Sequence, residues 1–277
     1  MKHLYILLFV LPLIGFGQGW EQPYGENGYE EGFDIEQTND GGFVVVGTTN
    51  IEDIESDSKN IYLIKMDENG NQEWSQNFGN DQLCEGWDNE CNNYFSYDVE
   101  PTSDGGFIIC GTIEYSSNKI TNSQGNDIVL IKTDSSGSLE WSQLFFENQE
   151  SFYNNWGVSV EETNDGGYII SGSKGFTSET SSVPGDLLLL LKTDGNGNEQ
   201  WTQTFNYSNI NSGRNLGNSV KQTDDEGYIV VGYRSFLHDN DYGLNSTNDL
   251  LIVKTDDNGN EEWVTILGGP ITPNNWG

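Results

Sequence analysis

Five carboxylates occupy matched places in the sequence: Asp34 and Glu36 in FDIEQT, Asp98 and Glu100 in YDVEPT, and Glu161 in VSVEET. Two carboxylates can cleave a glycosidic bond, one as proton donor and the other as base or nucleophile, when they stand about 5–10 Å apart. Asp34 and Asp98 are therefore the candidate pair. The competing reading is a structural or solvating role, because 44 Asp and Glu residues bring many carboxylates together without any chemistry. Nucleophilic catalysis has little to draw on. His238, in FLHDND, is the only histidine beyond His3, and no nucleophile motif accompanies it. Cys84 and Cys91 bracket the polar stretch CEGWDNEC, a spacing that suits a local disulfide in an exported protein. Cys110 ends the apolar run FIIC and reads as a buried thiol. Two cysteines alone make a poor zinc site, so no metal is expected.

The stretches DENGN, DSSGS, DGNGN and DDNGN invite a calcium reading. A calcium loop of the EF-hand type needs ligands at positions 1, 3 and 5, a glycine at 6 and a glutamate at 12. Here the glycine comes fourth and the segment sits between two strand-like runs. A type I turn with a glycine bulge, its Asp bonded to its own backbone, explains the pattern better. No cofactor is expected, and the spacing does not support structural calcium.

These residues are carried by a repeat. TNDGGFVVVGTT begins at Thr38, TSDGGFIICGTI at Thr102, TNDGGYIISGSK at Thr163 and TDDEGYIVVGYR at Thr223, in steps of 64, 61 and 60 residues. A fixed period in this range marks a repeat architecture. Each unit has two hairpins. The first joins runs such as FDIEQT and GFVVVGTT through an Asp-Gly turn, the strongest short hairpin signal. Gly42, Gly106, Gly167 and Gly227 hold one position, which suggests a positive φ or a bulge there. The second hairpin is IYLIKMDENGNQEWSQNF and its three echoes. Trp74, Trp141, Trp201 and Trp263 share a place in it and are expected to be buried between units. No segment has a helical period. The predicted fold is an all-β propeller of four-stranded antiparallel blades. The blades fall at about residues 28–80, 92–147, 154–206 and 215–269. Trp20 in GWEQPYG resembles a blade's last strand, and residues 270–277 resemble the start of a further blade. The ring is thus expected to be incomplete within this sequence.

The pattern DGGFxxxG followed by DIxLIKTDxxGNxxW resembles the repeats of bacterial secreted β-propeller proteins from about Gly28 to Gly269. The resemblance implies the fold and leaves the activity open. The turn also resembles the Asp-box of sialidases, but its Asp-to-Gly spacing is one residue longer. Three arginines would be needed to clamp a sialic acid carboxylate, and Arg214 and Arg234 are the only two present. A likeness to the turns of quinoprotein dehydrogenases fails on the same spacing and on blade number.

Residues 1–17 read as a signal peptide: Lys2 and His3 precede an apolar run from Leu4 to Phe16, too short to span a bilayer, with small residues Gly15 and Gly17 before the cleavage point. A secreted or cell-surface location follows, with no membrane insertion after cleavage. Removing Lys2 leaves a net charge of −34. That surface repels nucleic acid and favours neutral glycans or cationic protein patches as partners.

Connections between second and third strands and between blades share one face of the disc, and these are long and varied. Loops that vary over a uniform scaffold commonly carry binding. Trp87, Tyr94, Tyr115, Tyr153, Trp156, Phe236 and Tyr242 fall in or beside these segments and are the candidate ligand-binding residues. The sequence thus reads as a non-enzymatic binding or adhesion module, with an extracellular polymer or surface protein as partner. The alternative is a carbohydrate-active hydrolase with Asp34 and Asp98 at the channel mouth. Oligomeric state is left open.

Overall fold

The structure is a computed structural model that describes residues 29–50, 59–79, 83, 91–115, 125–146, 154–176, 185–208, 213–240 and 243–268. The side chains of residues 91, 92, 115, 236–240 and 243–247 lie outside that description. The signal peptide and the expected Cys84–Cys91 disulfide fall outside it too.

Among the described residues, sixteen strands form four antiparallel units. The first comprises β1 (Glu30–Gln37), β2 (Phe43–Asn50), β3 (Lys59–Met66) and β4 (Gln72–Phe78). The second has β5 (Cys91–Pro101), β6 (Phe107–Tyr115), β7 (Gly125–Thr133) and β8 (Leu139–Phe145). The third has β9 (Asn155–Glu162), β10 (Tyr168–Phe176), β11 (Gly185–Thr193) and β12 (Glu199–Phe205). The fourth has β13 (Asn215–Gln222), β14 (Tyr228–Asn240), β15 (Gly243–Thr255) and β16 (Glu261–Leu267). Within each unit the strands pair in sequence order. The first strands pack against one another in turn, β1 with β5, β5 with β9 and β9 with β13. The chain is an all-β fold of propeller type, with the first strands innermost.

Each unit has two apolar faces because its central strands are β-branched or leucine-rich throughout rather than alternating. Val44, Val46 and Leu63 of the first unit meet Val99, Ile109 and Ile131 of the second. Ile108, Cys110 and Leu130 of the second meet Val160, Ile170 and Leu191 of the third. Ile169, Leu188 and Leu190 of the third meet Val220, Val230 and Val253 of the fourth. Every blade thus has a leading face toward its predecessor and a trailing face toward its successor.

The tryptophans close the outer part of these contacts. Trp74 meets Phe107 with ring centroids 5.8 Å apart, Trp141 meets Tyr168 at 5.9 Å and Trp201 meets Tyr228 at 5.7 Å. A Cβ on Gly137, Gly197 or Gly259 would stand within about 2.6 Å of the indole of the preceding blade. These glycines serve a second purpose, since each turns at φ of 76–78° behind an Asp that bonds its own turn. Asp194 Oδ1, for example, accepts from the amides of Asn196 at 2.8 Å and Asn198 at 2.9 Å. The expectation of four equivalently buried tryptophans needs correction: Trp74, Trp141 and Trp201 are half-buried, and Trp263 is 45% exposed. No described blade follows it to supply the opposing ring and glycine.

The glycine expectation also needs correction. Positive φ belongs to Gly41, Gly105 and Gly166, and in the fourth unit to Glu226, not to the glycine that follows. Gly42, Gly106, Gly167 and Gly227 are required for space. A Cβ there would lie 2.1–2.2 Å from a third-strand carbonyl oxygen and 2.5–2.6 Å from the ammonium of Lys65, Lys132, Lys192 or Lys254. Each of these buried lysines donates to the Asp of the Asp-Gly turn, as Lys132 Nζ does to Asp104 Oδ2 at 2.9 Å. Each also donates to the carbonyl one residue on, such as Thr133 O at 2.8 Å. Three have a second carboxylate in Glu73, Glu140 or Glu262, and Gln200 takes that place in the third unit.

One expected loop is a strand. Residues 233–240 and 243–248 continue β14 and β15 as a paired ribbon from Arg234↔Asp249 to Asn240↔Gly243.

Candidate functional site

All four inner strands carry a β-bulge near the end where the varied connections lie. The extra residue is Phe33, Tyr97, Val158 or Asn218. A bulge re-aims one side chain without moving the rest of the strand. The result is an aromatic row across neighbouring blades. Phe33 and Tyr97 rings are 5.9 Å apart, and Tyr97 and Trp156 rings 6.1 Å apart at 54°.

Trp156 and Tyr97 open into a pocket of about 340 Å³, which Ser173, Tyr233, Asp186 and Arg214 also line. It is formed by the bulged part of β5, the starts of β9, β11 and β13, the end of β10 and the middle of β14. An isolated bridge from Asp186 to Arg214 ties the start of β11 to the start of β13 and brings these two side chains together. Asp186 Oδ2 lies 3.4 Å from Arg214 Nε. Burial raises the Asp186 carboxyl above the ordinary carboxylate range, and the Arg214 charge only partly offsets this. Burial also pushes the Tyr97 phenol up, with the Glu114 charge adding to it. The site therefore has aromatic faces, a neutral phenol, a hydroxyl, and an acid that retains its proton to higher pH than usual. Flat rings can stack on sugar faces, and the polar groups can bond sugar hydroxyls.

Asp34 and Asp98 follow the bulges and do not line this pocket. Asp34 Oδ2 accepts from the Val99 amide at 3.1 Å and Asp98 Oδ2 from the Val160 amide at 2.7 Å, so each fastens its blade to the next. Ser159 holds the same relation to Val220 at 3.4 Å. Burial, then the adjoining Asp34, lifts Asp98 to about 7. Nearer the short-turn face, Lys221 Nζ reaches Glu100 at 2.6 Å and Glu161 at 3.5 Å.

Of the sequence-selected ligand residues, Trp156 is in the pocket. Tyr94 is corrected: it is 1% exposed, inside the core between the first two blades, because strand alternation turns it inward opposite Ile113. Tyr115 and Phe236 are placed on β6 and β14 by their backbones alone. Trp87, Tyr153 and Tyr242 lie outside the described residues. Tyr97, Asp186, Arg214 and Tyr233 were not singled out. A signal existed for Tyr97, since Phe33 and Tyr97 both precede the fastening Asp.

No family model and no curated protein matches the sequence. Solved structures similar to it include one titled "Glycoside hydrolase", at 9% identity and a TM-score of 0.43, covering 87% of this chain and 74% of the other. Another, titled as a complex of BT0996 and RGII, has 10% identity and a TM-score of 0.42 over 88% and 73%. A third is titled as a GH130 family of mannoside phosphorylases containing glycoside hydrolases that target β-1,2 mannosidic linkages in Candida mannan. It has 12% identity and a TM-score of 0.38 over 92% and 81%. At these identities the likeness is one of fold. The expectation that the chain is not an enzyme is overturned by these neighbours, among which are enzymes by title, and is withdrawn.

Proposed function

We propose that the chain is an exported carbohydrate-active hydrolase whose sugar site is the pocket at Trp156. The observation that carries this reading is that Trp156, Tyr97 and Tyr233 line one pocket with an acid, Asp186, whose carboxyl burial raises above the ordinary carboxylate range. Trp156 and the tyrosines are the stacking platform. A water molecule attacks the anomeric carbon as its bond to the leaving oxygen breaks, Asp186 donates its proton to that oxygen while Arg214 keeps it oriented, and the water's proton passes to a second carboxylate. The net charge of −33 for the whole chain favours neutral glycans as substrates.

Reducing-sugar release from a panel of neutral polysaccharides tests the assignment. Asp186→Asn is expected to lower turnover by about 10²–10⁴-fold, the usual contribution of a general acid. Trp156→Ala is expected to weaken substrate affinity. Asp34→Asn and Asp98→Asn, made alongside, identify the second carboxylate if either stops turnover in a folded protein. No release from any polysaccharide, or unchanged release by Asp186→Asn, overturns the assignment.

A further inference from the structure

β14 and β15, at 13 residues each, are the longest strands among the described residues. Their extra length lies beyond the pocket. Ser173 and Tyr233 line the pocket from matching places, each one residue after the glycine, Gly172 or Gly232, that ends the apolar run of its strand. β10 ends at Phe176, three residues past Ser173, whereas β14 runs to Asn240, seven residues past Tyr233. At about 3.3 Å per residue, the fourth blade rises about 13 Å higher beside the pocket than the third does. Pairing with β13 stops at Arg234 and pairing with β16 at Leu250. Past that level only β14 and β15 remain, joined without a bulge from Arg234↔Asp249 to Asn240↔Gly243.

A two-stranded ribbon is marginal in water by itself, and this one is locked where it leaves the blade. Arg234 bonds Asp249, its cross-strand partner, at 2.9 Å and the Tyr207 carbonyl at 2.8 Å. Ser235 donates its amide to the Arg214 carbonyl at 2.6 Å, and its hydroxyl accepts from the Arg214 amide at 3.1 Å. Arg214 itself lines the pocket, so the ribbon is rooted on the pocket's rim. It stands on the fourth-blade side. The aromatic row runs the other way, from Trp156 on the third blade over Tyr97 to Phe33 on the first. The pocket's volume of about 340 Å³ is at the low end for ligand pockets, which span about 300–1,000 Å³.

We infer that the ribbon of residues 235–240 and 243–248 sets the substrate class of the sugar site. It blocks a glycan from crossing the fourth blade, so the pocket takes the free end of a chain and the rest leaves over Tyr97 and Phe33. The hydrolase therefore acts on chain termini, adding one water per bond broken and releasing short products, and does not cut within chains. The wall works by exclusion, since a chain bound through its middle would clash with it. This inference rests on the reading of the pocket as a hydrolytic sugar site.

The experiment follows product size and viscosity together while the chain digests soluble neutral polysaccharides: a mannan, a xylan, an arabinan and a mixed-linkage glucan. Wild type is expected to release mono- and disaccharides from the start while viscosity falls slowly. Two variants trim the ribbon, one with residues 237–246 and one with residues 239–244 replaced by Asn-Gly, which closes a two-residue hairpin. Both keep Arg234, Ser235 and Asp249, so their melting temperatures are expected to stay close to that of wild type. The ratio of internal to terminal cuts is expected to rise more than about tenfold in the larger trim and less in the smaller, as the steric block is removed. Internal cutting by wild type, or an unchanged ratio in a folded trim, overturns the inference and leaves the hydrolase reading standing. Loss of the fold in both trims makes the ribbon a structural element and overturns its role as a wall. No product of any size from wild type overturns the hydrolase reading, and this inference with it.

Discussion

Asp98 Oδ2 and the backbone amide of Val160 are joined by a 2.7 Å hydrogen bond across the junction of the second and third blades. The bond is made beside the bulge that turns Tyr97 toward the pocket. Blade fastening and the aromatic platform are therefore built by neighbouring residues of one strand.

Protonation of Asp98 should be visible in stability. Its folded value of about 7 stands above the ordinary 3.8. The folded state thus holds a proton that the unfolded chain has already released. The stabilisation is complete below pH 4 and is lost as pH rises toward and through 7. Asp98→Asn mimics the protonated carboxyl. Its melting temperature is expected to match wild type near pH 4 and to exceed it at pH 8. Calorimetry across that range checks this, and a parallel pair of curves would contradict it.

The buried lysines give a comparison between blades. Lys132 keeps Glu140 when Asp104 is removed, but Lys192 has Gln200 in that place and relies on Asp165. Leaving a buried ammonium without a carboxylate costs about 3–5 kcal/mol. Asp165 is half-exposed, so Asp165→Ala is expected to cost only a fraction of that, and Asp104→Ala to cost clearly less again. Urea unfolding of the two variants checks the difference.

The blade pattern was legible because it is local. Turn residues at fixed offsets, β-branched runs and a tryptophan in each second hairpin are visible in any one repeat. The site was less so. Tyr97 is reoriented by a bulge, and an extra residue changes the inside-outside parity that alternation relies on. Tyr94, three residues earlier, was misread for the complementary reason: it lies in a segment taken for a varied connection, but the strand starts before it. Asp186 sits in GDLLLLL, a run whose composition signals core, and its proposed role depends on Arg214, which the bridge at the start of β13 brings beside it. Nothing in the sequence near either residue announces that pairing.

Glu226 gives a stabilising substitution. Its φ of 67° is the left-handed conformation that Gly41, Gly105 and Gly166 adopt in the other units. That conformation costs a non-glycine residue about 1–2 kcal/mol, while glycine adds about 0.5–1 kcal/mol of unfolded-state entropy. Glu226→Gly is therefore expected to stabilise the fold by up to about 1 kcal/mol. A shift of the urea midpoint to higher concentration, with unchanged slope, is the result to look for.

The four tryptophans should not respond alike to truncation. Trp141 is enclosed by Tyr168 and by the close approach of Gly197, where a Cβ would come 2.6 Å from the indole. Trp141 is half-buried, so its removal leaves a gap between two blades that is partly open, and Trp141→Ala is expected to cost about 2–3 kcal/mol, toward the low side of a core aromatic. Trp263 holds the same place in its hairpin but is 45% exposed, so its ring has less contact to lose within one copy. Trp263→Ala, measured at protein concentrations low enough to keep copies apart, is expected to cost less than about 1 kcal/mol, as for surface changes with little burial. Equal losses at the two positions would mean that Trp263 is covered in solution by part of its own chain.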